Sequence, residues 1–532
     1  MPRGKQMING TEYVYEYDST WDTQKKHANH KREYIGKMVG GVFVPNKKYE
    51  LKLQLAEATA SSKNTGPGSS DSSSRVFCGA THLLDQIGEK LGVEQDLKRC
   101  FPDSWKQILS LAYFLILEDH NPLSRFPRWA KSHEHPYDGV LSSQRSSEIL
   151  SRISEDAKQN FFRLQAQRRL EKEYLAYDTT SISSYSKLIK QVKYGHNKEH
   201  DHLEQINLAL LFGEESRLPV YYRKLAGNIP DVKTVRKLLG DIEFLALDKV
   251  NLVMDRGFYS EENINAMFQQ HHKFILAART SLKYVKAYID EVREELVSRP
   301  FYSSKYRLYC TSKTVAWNYK SAEKRDGTRD SGPRRMYLHL YYDDQRATDD
   351  KNDLNDLLDQ LEQELVIDTR SPEHEKMYEK YFLVESTPAR GLKVFPKADI
   401  IKQQEQHYGY FALVSNGVKD PLEALNIYRL KDLIEKSFGD LKERLNMRRT
   451  SVSSSESLEG KLFIQFVALI YLSYIKKAMT EHSLFSKYTI QELLDELDVI
   501  ERFSRPSQRA QLGEITAKQI ELFEFMGVTA PS

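Results

Sequence analysis

Cysteine is scarce in this 532-residue sequence: only Cys78, Cys100 and Cys310 occur. They are too scattered for the paired spacing of a zinc site and too few for a disulfide scaffold, so they suit a reducing compartment. Net charge is equally small. Lysine and arginine (78) nearly balance aspartate and glutamate (75), leaving +3. No overall field draws the chain to a polyanion, and any nucleic-acid surface must come from local clustering. A glycine-rich phosphate loop of the GxxxxGK[ST] kind is missing, which leaves an ATP-driven motor without support. Residues 1–9 lack the apolar stretch of a signal peptide. The most apolar long run, 462–475, is interrupted by Gln465 and is short for a membrane span, so it reads as a buried helix. These absences predict a soluble, cytoplasmic protein with no membrane partner.

What is present is enough apolar sequence for two to four structural units. Residues 11–54 mix aromatic and β-branched residues with turns and read as short strands. The stretch 57–75 is rich in serine and glycine and reads as a flexible linker. Helical periodicity dominates 80–172. From 173 onward the pattern runs strand, strand, strand, helix, strand, helix, strand, which is α/β. The strand candidates are YLAYD ending at Asp178, QINLALLF, PVYYRKLAG, NLVMD ending at Asp255, and FILAA. Asp231 reads as the cap of the intervening helix. Residues 301–345 are β-rich around a basic loop containing Asp326 and Gly327, 421–480 is helical, and two amphipathic helices follow.

Asp178 and Asp255 each follow an apolar strand and precede a polar loop. A carboxylate at the carboxyl end of a buried strand is rigidly held where open α/β sheets place ligands. Either one alone is more simply a turn former. The segment YRLKDLIEKSFGDLKERLNMRR carries more information when read as one helix. Tyr428, Lys431, Glu435 and Lys442 fall on one face, beside an apolar stripe of Leu430, Leu433, Ile434, Phe438, Leu441 and Leu445. Arg429 points elsewhere on that helix. A solvated face with neighbouring charges is the simple alternative. The surplus of cations through Arg448 and Arg449 exceeds what pairing needs, and phosphate contact explains it. The pairs His133/His135 and His200/His202 lack the HExxH spacing of a metal site.

Tyr428, Lys431, Glu435 and Lys442 are separated by two, three and six residues. That spacing resembles the tyrosine–arginine–glutamate–lysine (YREK) signature of a group of bacterial insertion-sequence DDE transposases. Lys431 departs from it, since the group usually has arginine there; lysine keeps the charge but loses the bidentate fork. The segments YDTTSISSYS, SRLPVYYRKLAGNIPDVKTV, LVMDRGFYSEENI and GKLFIQFVALI resemble the same group.

The resemblance implies an α/β RNase H-like core, a mixed sheet with flanking helices, interrupted by a β-rich insertion and preceded by β and helical DNA-binding regions. The expected organisation is an N-terminal β-rich region (1–56), a linker (57–75), a helical DNA-binding region (76–172), core (173–280), insertion (281–405), core (406–480) and a C-terminal helical region (481–532). It implies Asp178, Asp255 and Glu435 as catalytic ligands of two Mg²⁺ or Mn²⁺ ions. Tyr428, Lys431, Lys442, Arg448, Arg449 and the insertion's Trp317 are the expected DNA contacts, Trp317 as a stacking surface for a flipped base. The implied function is cut-and-paste transposition by a homodimer on paired terminal inverted repeats, in a bacterial or archaeal nucleoid. A metal-dependent nuclease without strand transfer and a catalytically inactive DNA-binding derivative are the alternatives.

Overall fold

A computed structural model of the chain describes residues 3–22, 27–50, 74–139, 141–169, 173–198, 201–247, 249–321, 329–387, 391–450, 452, 454–505 and 509–532. Most of the Ser/Gly segment 57–75, and Asp326 and Gly327, lie outside the described residues. The chain divides into two compact units, one of residues 1–74 and 503–511, the other of 75–502 and 512–532.

The smaller unit holds an antiparallel meander of β1 (Arg3–Ile8), β2 (Thr11–Asp22), β3 (His27–Val39) and β4 (Val42–Pro45). Asn9-Gly10 and Gly40-Gly41 all have positive φ and supply the tight turns that alternating strands need.

The larger unit is organised by a ten-stranded mixed sheet. Its centre comprises β5 (Tyr174–Ser184), β6 (Gln205–Gly213), β7 (Pro219–Ala226), β8 (Asn251–Met254) and β9 (Lys273–Ala278). They lie side by side in the order β7-β6-β5-β8-β9, with β6 antiparallel to both neighbours and β5, β8 and β9 mutually parallel. The mixed order is consistent with the RNase H-like core that the resemblance implied. Every residue of β6 is buried, so the strand is covered on both faces and its apparent alternation in sequence marks no exposed side.

Beyond β9 the sheet continues through strands distant in sequence. β10 (Leu308–Lys320) pairs with β11 (Ser331–Tyr342), β11 with β12 (Tyr410–Ser415), and β12 with β9, all antiparallel. Within the 281–405 segment, β10 and β11 therefore extend the central sheet. Phe382–Thr387 and Gly391–Pro396 form a separate two-stranded ribbon.

Helices α1 (Gly79–Lys90), α2 (Trp105–Leu117) and α3 (Ser143–Arg152) pack around a later helix, Ser455–Glu481. That helix is long and apolar enough to cross a membrane, yet most of it is buried inside this fold. Leu462, Phe463, Phe466, Val467 and Ile470 are almost fully covered, each contributing about 1.5–3 kcal/mol of burial. Gln465 interrupts the apolar run for a reason: its amide donates to the Leu445 carbonyl at 2.5 Å.

Candidate active site

In the parallel ladder Leu175 faces Leu252, Ala176 faces Val253 and Tyr177 faces Met254. The next residue on each strand is an aspartate, so register alone brings Asp178 and Asp255 alongside each other. The sequence suggests that the first strand stops at Asp178. It instead continues to Ser184, because β6 stays paired with it as far as Gln205. What stops at Asp178 is the neighbour β8. Pairing on that edge resumes only at Ser183–Ser184, with Arg449–Thr450. The carboxylates thus sit where the sheet opens between strands.

Glu435 comes from a helix laid against β5. The expected single helix is two: α4 (Pro421–Tyr428) and α5 (Lys431–Lys442). At the junction the Leu430, Asp432 and Leu433 amides donate three residues back, to Ile427, Arg429 and Leu430. This 3₁₀-like tightening changes the angular spacing and breaks the regular helix. Ile434, Phe438 and Leu441 anchor the buried side of α5, leaving Glu435 exposed. Asp178, Asp255 and Glu435 line one cleft of about 400 Å³ with Lys442 and Arg448.

Charges in the cleft are held by short contacts. Burial pushes the Asp178 carboxyl up to about 6, against the pull of Lys198 Nζ at 3.7 Å and the Thr179 amide at 2.7 Å. Burial would also raise Asp255. It is outweighed by Lys431 Nζ at 3.8 Å, the Arg256 amide at 2.7 Å and the Tyr428 hydroxyl at 2.9 Å, which hold Asp255 below its ordinary value. Lys431 also reaches Glu435 Oε1 at 3.1 Å. Burial lowers the Lys431 ammonium, but the two carboxylates more than restore it and its pKa is raised. Burial and Asp255 together keep the proton on Tyr428.

Among the described residues, no three His, Cys, Asp or Glu side chains stand close enough to hold one metal ion as placed. The donor chemistry nevertheless fits a hard divalent cation. The donors are all carboxylate oxygens, and burial together with Asp231 and Asp255 disfavours the charge on Asp178. Lysine ammoniums supply the positive charge here, Lys198 at Asp178 and Lys431 between Asp255 and Glu435.

Of the six expected DNA contacts, Lys442 and Arg448 line this cleft, Tyr428 and Lys431 lie beyond its lining and contact Asp255, and Arg449 and Trp317 lie outside it. Arg449 bonds the Tyr185 hydroxyl and faces Asp201 at 3.6 Å. Trp317, half-buried on β10, donates its indole N–H to Asn265 Oδ1 at 2.8 Å. Two residues in the cleft went unforeseen. Asp231 caps no helix: Thr234 precedes the helix Val235–Phe244, and Asp231 accepts the Thr179 hydroxyl at 2.5 Å. Lys198 bonds the Thr179 carbonyl and lies 3.9 Å from Asp231. Lys198 belongs to an aperiodic loop, so no sequence pattern points to it.

No curated protein matches the chain. Among solved structures, the piggyBac transposase in a cryo-EM synaptic complex with hairpin DNA aligns with 84% of this chain and 78% of its own, at 10% identity and a TM-score of 0.36. The profile of the family described as Transposase DDE domain matches residues 169–471, a span that starts just before β5 and contains Asp178, Asp255 and Glu435. The chain belongs to that family of DDE-domain transposases.

Proposed function

We propose that this transposase cuts DNA at the terminal inverted repeats of an insertion sequence and joins the resulting 3′-OH ends to target DNA, as a homodimer on paired ends. The observation that carries the reading is the meeting of Asp178, Asp255 and Glu435 in one cleft walled by Lys442 and Arg448. Asp178, Asp255 and Glu435 would hold two Mg²⁺ or Mn²⁺ ions, which supply Lewis acidity at the phosphate oxygens and acidify a bound water.

The chain's own groups prepare that chemistry. The Tyr428 hydroxyl and the Arg256 amide fix the Asp255 carboxylate in one orientation. Lys431 tethers α5 to the end of β8 through its two carboxylates. Lys442 and Arg448 orient the phosphodiester by charge. The spacing from Tyr428 to Lys442 supports the YREK group, with Lys431 acting as a point charge on the acids. In the joining step the 3′ oxygen forms a new phosphorus–oxygen bond in the target as the target's own bond breaks, and the 3′-OH proton is released.

The test uses full-length protein, a labelled inverted-repeat end, a target plasmid and Mg²⁺. Joined product on the plasmid is expected, with Asp178→Ala and Asp255→Ala binding the end but neither cutting nor joining it. Cut ends that never join would make the protein a nuclease and overturn the strand-transfer reading.

A further inference from the structure

A second cleft, of about 600 Å³, opens beside Asp255, the residue it shares with the catalytic cleft, and Tyr428 and Lys431, which contact Asp255, line it. Its rim carries Arg256, Arg279, Arg346 and Arg429 together with Lys431, and its only carboxylate is Asp255. The four arginines come from four separate places. Arg256 follows Asp255, Arg279 follows β9, Arg429 occupies the break between α4 and α5, and Arg346 lies in the first turn of the helix Asp344–Val366. Sequence spacing sends Arg429 away from Tyr428 and Lys431. The tightened turn brings all three to the same cleft.

All four guanidinium side chains belong to exposed residues, and none makes an ion pair within the described residues. Two rest against rings: Arg429 lies 4.7 Å from the Tyr306 centroid and Arg346 lies 5.4 Å from that of Phe411. Such contacts limit side-chain freedom while leaving the charge unneutralised. Four converging guanidiniums facing one carboxylate form a polyanion site, and arginine's fork matches phosphate oxygens. Ala277, Leu413 and Leu425 give the cleft an apolar floor, and the other polar lining is hydroxyl, including Thr280 and Ser281, which suits phosphate oxygens.

We infer that this cleft holds successive backbone phosphates of the DNA strand as it passes the catalytic acids on the Asp255 side, independently of base sequence. The inference rests on the DNA-cutting reading above, and it adds Arg256, Arg279, Arg346 and Arg429 as the groups that align the strand. Continuity with the catalytic cleft is what favours a strand over a free nucleotide.

The experiment compares full-length wild type with the pairs Arg279→Gln/Arg346→Gln and Arg279→Lys/Arg346→Lys, measuring binding to a duplex end over a range of KCl. Each lost phosphate contact lowers the slope of log K against log salt by roughly 0.7–0.9. The glutamine pair should therefore lose about 1.4–1.8 from the slope and bind at least roughly tenfold more weakly at low salt. The lysine pair should keep the wild-type slope, which separates charge from misfolding. A glutamine pair with the wild-type slope overturns the inference, as does an unchanged slope combined with lost binding of inorganic triphosphate, which would make the cleft a nucleotide site. If wild type cuts the end and the slope is unchanged, the cleft assignment alone fails. If wild type cuts nothing but the slope falls, the catalytic reading fails and the phosphate cleft stands.

Discussion

Asp255 is oriented by two hydrogen-bond donors, its own following amide and the hydroxyl of Tyr428, with the Lys431 ammonium 3.8 Å away. Removing one should change chemistry more than binding. A hydrogen bond to a charged group is worth about 1.5–3 kcal/mol. Tyr428→Phe should therefore slow single-turnover cleavage by roughly tenfold to a hundredfold while leaving end affinity within about twofold. A matched loss of affinity would show that Tyr428 acts on DNA rather than through Asp255. Lys431 makes a related point about residue type. Arginine's fork would suit a planar clamp, whereas a single ammonium can lie 3.1 Å from Glu435 and 3.8 Å from Asp255 at once. A lysine where the YREK signature that the sequence resembles has arginine is compatible with this placement.

At the scale of elements, the helix Ser455–Glu481 is the hub that α3, α5 and β7 share. Glu459 on this helix accepts Lys224 at 2.8 Å and Lys158 at 2.6 Å, and both lysine side chains are only 3% exposed. Glu459→Ala leaves the buried Lys224 ammonium with the Ser455 hydroxyl at 3.1 Å and Lys158 with Glu155 at 2.7 Å, and should cost up to about 3 kcal/mol in urea unfolding; a loss under about 0.5 kcal/mol would show that those partners or water suffice. Next to it, a Cβ on Gly460 would lie 2.1 Å from the Leu150 carbonyl oxygen at the end of α3. Gly460→Ala must push the two helices apart, at a cost of about 1–3 kcal/mol. An alanine variant as stable as wild type would contradict the close approach.

Elements were legible in the sequence to different degrees. The strand order and Gln465's helix were readable because apolar periodicity reports burial directly. The split between α4 and α5 was not, because three hydrogen bonds to residues three back leave no mark on composition. Nor was the continuation of β5 past Asp178: a hydroxyl-rich stretch reads as a loop until β6 is seen to pair with it. Glu435 could be named from signature spacing and Asp178 and Asp255 from their places at the ends of apolar strands, but their companions Lys198, Asp231 and Arg429 required the fold.

At the scale of the whole molecule, partly desolvated carboxyls make stability depend on pH, Asp85 among them although it reaches solvent. Burial pushes Asp85 on α1 up to about 6, partly opposed by the Tyr113 hydroxyl at 2.8 Å. The unfolded carboxyl titrates near about 4. Between those values the folded state holds more proton than the unfolded one, so Asp85's contribution is full below pH ~4 and is lost as pH rises through about 6. Asp85→Asn should flatten this part of the melting profile between pH ~4 and ~6 and raise the thermal midpoint at pH 7. A parallel profile for the two proteins would place the titration elsewhere. The larger consequence of the architecture is that residues far apart in the chain meet at one opening of one sheet. Asp178 and Asp255 are aligned by strand register, and Glu435 arrives from beyond strands β10 and β11, which extend the same sheet. The most direct test of that meeting is single-turnover cleavage of a labelled inverted-repeat end with Mg²⁺ by wild type and Glu435→Gln, which keeps the side chain's size and removes its charge. Glu435→Gln should bind the end like wild type and cut it at least about a thousandfold more slowly, of the order of a lost metal or transition-state contact; cleavage at the wild-type rate would remove Glu435 from the catalytic set.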